Sequence, residues 1–233
     1  MLKKILIIII ALASFAACST KNENGNLIIK GTVKGLRLGT LHVKQFQNDS
    51  LVSIDSLMVD GNEHFEFHTQ IDEPQIMALE LPQVNNGRLL FFAAPNDTIN
   101  IFAYVESFGI DPIVKGGVNQ NRKNEFDQMM RQFSNKEMDL FKAKFDAAKQ
   151  HMLKEADSLG QKLENLKIKR QLYTLNFIFR NKDYAIAPYV ALNQFYNNKK
   201  ALDTIYKTLT PAVQQSGYGK QLKKLLQNSS NGN

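Results

Sequence analysis

The sequence contains one cysteine, no tryptophan and six prolines among 233 residues. A single cysteine excludes an internal disulfide framework, a CxxC redox motif and any multi-cysteine metal site. Ser, His and Asp all occur, but no Gly-x-Ser-x-Gly elbow does, and the thirteen glycines form no phosphate-cradling loop. The apolar run Ile5 to Leu12 is too short to span a bilayer. What is present looks like a globular protein. Apolar residues make up 43% and charged residues 22%, enough to bury a core in one or two domains. The net charge of +7 raises the question of a nucleic acid or a membrane surface as partner.

The N-terminus reads as an address. Lys3 and Lys4 precede the apolar run, and Ala16 and Ala17 stand directly before Cys18. This resembles a bacterial lipoprotein signal peptide over residues 1–17, with Phe15-Ala16-Ala17-Cys18 as its lipobox and Phe where Leu is usual. The resemblance implies a diacylglyceryl group on the Cys18 thiol and cleavage before Cys18. Two or three acyl chains, at about 0.8 kcal/mol per buried methylene, hold a protein stably on a membrane. The alternatives are a cleaved secretory signal with an incidental cysteine, or an uncleaved anchoring segment. Residues 18–26 are a polar tether. No Asp follows Cys18, so the address favours the outer membrane, with its face open.

Without residues 1–17 the chain carries 27 basic and 22 acidic side chains, net +5 over 216 residues. Residues 27–116 hold six basic and eleven acidic side chains; residues 117–233 hold twenty and ten. The hydrophobic period changes at the same place, which predicts a domain boundary at 116/117. In the first part Leu27, Ile29, Gly31 and Val33 alternate with polar positions, as do Leu41 and Val43, then Val52, Ile54 and Met58, then Phe65 and Phe67. Met77, Leu79 and Leu81, Leu89 to Phe92, and Ile99 and Ile101 follow. Period two between turn formers such as Asp60-Gly61-Asn62 and Asn85-Asn86-Gly87 predicts an antiparallel β-sandwich-like domain over 27–116.

The second part predicts an all-helical domain over 117–227, giving an α+β fold. Phe126, Met129, Met130, Phe133, Leu140, Phe141 and Phe145 recur at helical spacing. Residues 119–181 read as two antiparallel helices or one broken one, with Asn119 or Asn121 as N-cap. Shorter helices are predicted near 185–196, 199–208 and 217–227, and the tail 228–233 as disordered.

Ile28-Ile29-Lys30-Gly31-Thr32-Val33 and Asp55-Ser56-Leu57-Met58-Val59-Asp60-Gly61, followed by Phe65-Glu66-Phe67, carry a resemblance. Together they resemble the N-terminal β-domain of Bacteroidetes envelope lipoproteins, the domain of unknown function 4369. The resemblance implies a hairpin at Gly61. Residues 117–227 resemble the helical stretch that usually follows. In that family a thioredoxin-like or peroxiredoxin-like domain commonly comes next. No such domain is expected from residues 1–233, and with no cysteine besides Cys18 they offer no second thiol for redox chemistry. The resemblance implies location and architecture, and no ligand, cofactor or catalytic residue.

Several groups of side chains are candidate sites. On a strand His64, Glu66 and His68 would share one face, opposite Phe65 and Phe67, but residues four apart span about 13 Å. A solvent-facing polar stripe fits better than a metal site, and His42 could join only from a neighbouring strand. The carboxylates Asp49, Asp55, Asp60, Glu63, Glu66, Asp72 and Glu73 sit where turns and strand edges use them. Lys162, Lys167, Lys169 and Arg170 alternate with acids, the mark of a solvated helix face, although anionic lipid or polysaccharide could meet them. Nucleic acid is not expected. Met129, Met130, Met138 and Met152, with Phe126, Phe133, Phe141 and Phe145, either pack as core between helices or line an adaptable groove; the spacing favours core. Tyr173, Phe177, Phe179, Tyr184, Tyr189, Phe195 and Tyr196 read as helical core and rim.

The expectation is a lipid-anchored, non-catalytic envelope protein acting as a binding or docking module. Its expected partner is an envelope protein, with a thioredoxin-like one as the candidate. A binder of glycan, peptide or lipid in a groove between the halves is the alternative, and a hydrolase a weaker third.

Overall fold

The computed structural model describes residues 25–47 and 50–228. Residues 1–24, with the expected signal peptide, Cys18 and most of the expected tether, residues 48–49, with Asp49, and residues 229–233 lie outside the described residues. The described chain is α+β: two four-stranded sheets, then helices. The strands are β1 (Leu27–Lys34), β2 (Leu38–Gln47), β3 (Ser50–Asp60), β4 (His64–Thr69), β5 (Gln75–Glu80), β6 (Arg88–Ala93), β7 (Thr98–Tyr104) and β8 (Ile113–Lys115). The helices are α1 (Val118–Lys149), α2 (Leu153–Arg180), α3 (Ile186–Phe195), α4 (Lys199–Thr208), α5 (Pro211–Gln214) and α6 (Gly217–Asn228).

One sheet runs β4-β1-β7-β8 and the other β3-β2-β5-β6. Alternation explains their stacking. Leu27, Ile29 and Val33, Phe65 and Phe67, and Ile99 and Ile101 point inward from the first sheet. They meet Leu41 and Val43, Met77 and Leu79, and Leu89 and Phe91 of the second. Burying each inward side chain of this set stabilises the fold by roughly 1.5–3 kcal/mol.

Three expectations change. First, the sandwich is not wholly antiparallel: β1 pairs with β7 in parallel, Gly31 opposite Ile101. Second, the Gly61 turn does not close a hairpin. β3 pairs with β2, and β4 pairs with β1 in the other sheet, so Gly61, at φ 75°, turns a corner between the layers. Third, Met58 is 73% exposed while Val59 is buried. Val43 pairs with Asp55 and Lys44 with Ser53, which leaves Ile54 as an extra residue in β3. This bulge resets the inward parity of the strand.

At Ile76 and Phe92, strands β5 and β6 are covered on both faces. Ile76 and Phe92, on the side opposite Met77 and Phe91, belong to the helical core with Phe126, Phe177, Val190 and Leu222. Farther along the same outer face, Glu80 of β5 holds Lys44 of β2 and Arg88 of β6, whose Nη2 donates at 2.7 Å. The Lys44 hydrogen bond, seconded by that of Arg88, holds the Glu80 carboxyl below its ordinary 4.5 against the opposing effect of burial. A carboxylate depressed on folding stabilises above its unfolded value and loses that stabilisation as pH falls through the folded one. Urea midpoints of the parent should therefore fall more steeply from about pH 5 to about pH 3 than those of Glu80→Gln. Equal slopes would show that the ion pair does not contribute.

Helix α1 begins after Gly117, at φ 69°, with no side chain capping it. Neither Asn119 nor Asn121 is the N-cap. A Cβ at Gly117 would lie 2.3 Å from the Asp97 carboxylate, so that carboxyl is packed against the start of the helix; burial pushes its pKa up. Asn119 is buried and accepts from the Ile186 amide at 3.0 Å. Asn121 Oδ1 accepts from the Gly116 amide at 3.4 Å. Helix α1 ends with His151 at φ 61°. The His151 and Met152 amides donate to the Ala148 and Ala147 carbonyls, the left-handed closure that releases a chain into an antiparallel partner.

Candidate functional site

The groups that could carry chemistry do not converge. His64, Glu66 and His68 share the outward face of β4. His68 Nε2 lies 2.7 Å from Glu66 Oε1, while His64 Nδ1 lies 2.9 Å from the Thr32 hydroxyl on β1. His42 sits on β2, in the other sheet. Among the described residues no three His, Cys, Asp or Glu side chains gather as a metal site. Glu63 is engaged by the Gly35 amide and by Lys34; the amide hydrogen bond, then Lys34, holds its carboxyl below the ordinary value. Of the basic run on α2, Lys167 pairs with Glu164 at 2.8 Å and Arg170 with Glu137 at 3.8 Å. Among the described residues no helix is long and apolar enough to cross a membrane.

The junction between the halves is filled. Phe92, fully buried on β6, meets Tyr189 edge-on at 5.8 Å and Tyr218 at 5.9 Å. Gln120 Oε1, at the start of α1, accepts from the Phe92 amide at 2.6 Å. The Tyr218 hydroxyl accepts from the Ile76 amide at 2.9 Å, one residue past the last β2–β5 pair. Burial raises the Tyr218 pKa to about 12, which keeps the hydroxyl neutral over the working range. A cleft of about 250 Å³ lies elsewhere, among α1, α2 and α3, lined by Phe133, Glu137, Arg170, Thr174, Gln194 and Phe195.

The strongest departure from an ordinary core is on the hairpin of α1 and α2. Helix α1 has 32 residues, about 48 Å at 1.5 Å per residue. At its base Phe126 packs on Phe177 at 4.9 Å and Phe133 on Tyr173 at 5.9 Å. Beyond Glu137 the hairpin is a two-helix arm; among the described residues its buried side chains there are Ala147 and Ala156. The internal seam of α1 reads Phe126, Met130, Phe133, Glu137, Leu140, Lys144 and Ala147, at alternating steps of four and three, the period that keeps one stripe facing a partner helix.

A second seam runs beside it. Ser134, Met138, Phe141, Phe145 and Ala148 follow the same alternation, one residue on. Met138 is 55%, Phe141 60% and Phe145 62% exposed. The reading of all these methionines and phenylalanines as core therefore divides. Phe126, Met130 and Phe133 pack at the base, while Met138, Phe141, Phe145 and Met152 face solvent. Helical spacing gives the period of a stripe, and a second stripe one residue over is the signal that two faces of α1 are apolar. Of the aromatic run, Tyr173, Phe177, Tyr184, Tyr189 and Phe195 join the core, and Phe179 and Tyr196 are exposed.

No curated protein matches the chain. A family described as Domain of unknown function (DUF4369) matches residues 27–122, which take in all eight strands and the first turn of α1, Gln120 included. Over residues 27–122, the sandwich and the residues that fasten the first helix to it are thus similar to the Domain of unknown function (DUF4369).

Proposed function

We propose that the chain is a lipid-anchored, non-catalytic protein of the cell envelope that acts as a docking module, with the α1–α2 arm as its docking element. The observation that carries this reading is the solvent-facing seam of Met138, Phe141 and Phe145 on an arm that stands off a closed core. Large exposed apolar side chains in a row mark interaction surfaces. The small-residue run before Cys18 supports the anchor, which would set the module at the outer membrane. A thioredoxin-like envelope protein is the partner class suggested by the resemblance of the β-domain.

The test uses cells producing the full chain with a photo-crosslinking residue at position 141, or at position 143 on the opposite side of α1. Discrete adducts at 141 and none at 143 are expected. Labelled palmitate should enter the parent and not Cys18→Ala. Equal crosslinking at both positions, or labelling that survives Cys18→Ala, would overturn the corresponding part of the proposal.

A further inference from the structure

We infer that the occupant of the outer seam on α1 is an amphipathic α-helix of a partner protein, apolar along one face and bordered by acidic side chains; this rests on the docking reading above. Two observations narrow the occupant. The first is the seam's shape. A bilayer surface takes a helix whose apolar face is broad, whereas a partner helix takes a narrow stripe two residues wide per seven. Ser134, Met138, Phe141, Phe145 and Ala148 make the narrow kind, over about 21 Å of helix.

The second observation is charge. Lys142 and Lys149 follow Phe141 and Ala148 directly, which places them on the solvent border of the seam. Neither makes an ion pair with another described residue. Of the acids toward α2, Glu137 pairs with Arg170 and Glu164 with Lys167. Asp139 and Asp146 lie farther round the helix, outside the contact strip. A second copy packing antiparallel on this seam would set Lys142 and Lys149 of one chain near those of the other, a like-charge arrangement. An acidic border on the partner relieves it and adds register.

The experiment measures binding of a fluorescein-labelled peptide of about four heptads to the full chain in detergent. The peptide has Leu and Ile along one face and either Glu or Lys at the flanks. The Glu-flanked peptide should bind at least about tenfold tighter than the Lys-flanked one, with the difference shrinking in high salt. Lys142→Glu combined with Lys149→Glu should reverse the preference. Phe141→Ser combined with Phe145→Ser should lower affinity about tenfold or more while leaving the far-UV circular dichroism unchanged, since both side chains are exposed.

Equal binding of the two peptides overturns the inference. So does a dimer in sedimentation that the Phe141→Ser/Phe145→Ser variant breaks, which would make a second copy the occupant. Adsorption to phosphatidylglycerol vesicles with the same mutational dependence would make a bilayer the occupant. If adducts at position 141 persist while the peptides show no preference, the docking reading stands and the acidic helix falls. If the adducts are absent as well, both fall.

Discussion

Phe92→Ala should cost about 3–5 kcal/mol in urea unfolding and lower Tm by roughly 10 °C or more. Phe92 is fully buried, and its ring is the point where the two cores meet. Phe91 next to it fills the sandwich, while Phe92 fills the helical side against Tyr189 and Tyr218. Truncation removes the ring's transfer energy and both ring contacts, and it leaves a cavity that β6 and two helices cannot close together. The backbone amide still meets Gln120, so the loss measures packing alone. Leu90→Ala, two residues back on the same strand and half exposed, should cost less than about 1 kcal/mol. Similar costs for the two would show that the helices rest on the sheet without being held by it.

Gly31→Ala should be the second severe change, about 3 kcal/mol. Gly31 lies mid-strand in β1, between β4 and β7. A Cβ there would fall 1.8 Å from the Ile101 carbonyl oxygen. That neighbour is backbone of a buried strand, so relief requires β1 and β7 to separate and the parallel pair to stretch. Gly61→Ala gives the contrast. Gly61 has φ 75° and nothing within 4 Å of an added methyl, so its cost is the left-handed backbone alone, about 1 kcal/mol. Chemical denaturation of the pair separates a steric requirement from a conformational one. A Gly31→Ala protein as stable as Gly61→Ala would show that the two strands have room to spare.

Much of the fold was legible because local pattern and tertiary environment agree. Inward residues of β1, β4 and β5 alternate as half-buried strands must, and the α4 range 199–208 is bounded by Asn198, whose side chain accepts from the Ala201 amide, and by Pro211. What was not legible depends on partners distant in sequence. The parity of β3 turns on an extra residue opposite β2, and a bulge is a property of the pair. The Gly61 turn looks the same from sequence whether the next strand returns to its own sheet or crosses to the other. Asn119 has the chemistry of a cap, but the amide it satisfies belongs to Ile186, 67 residues away. On α1, period three-to-four marks Phe133 and Phe141 equally as apolar-face residues. Whether a helix lies against each depends on where α2 runs.

The acidic first part and basic second part predict a domain boundary at 116/117, but Phe92 and Gln120 bear on where the chain could be divided. β6 is the edge of its sheet; a side chain from α1 satisfies the amide of Phe92 there, and the helical core covers its outer face. A chain cut at residue 116 would keep every strand and lose Gln120. It would then expose Ile76 and Phe92 on one face and leave two amides without their partners, that of Ile76, which loses Tyr218, and that of Phe92 on the edge strand, the template on which a sheet recruits a second molecule. Such a fragment would be prone to edge-to-edge self-association, and a soluble β-domain would have to carry the beginning of α1 and some replacement for the surface that α3 and α6 cover.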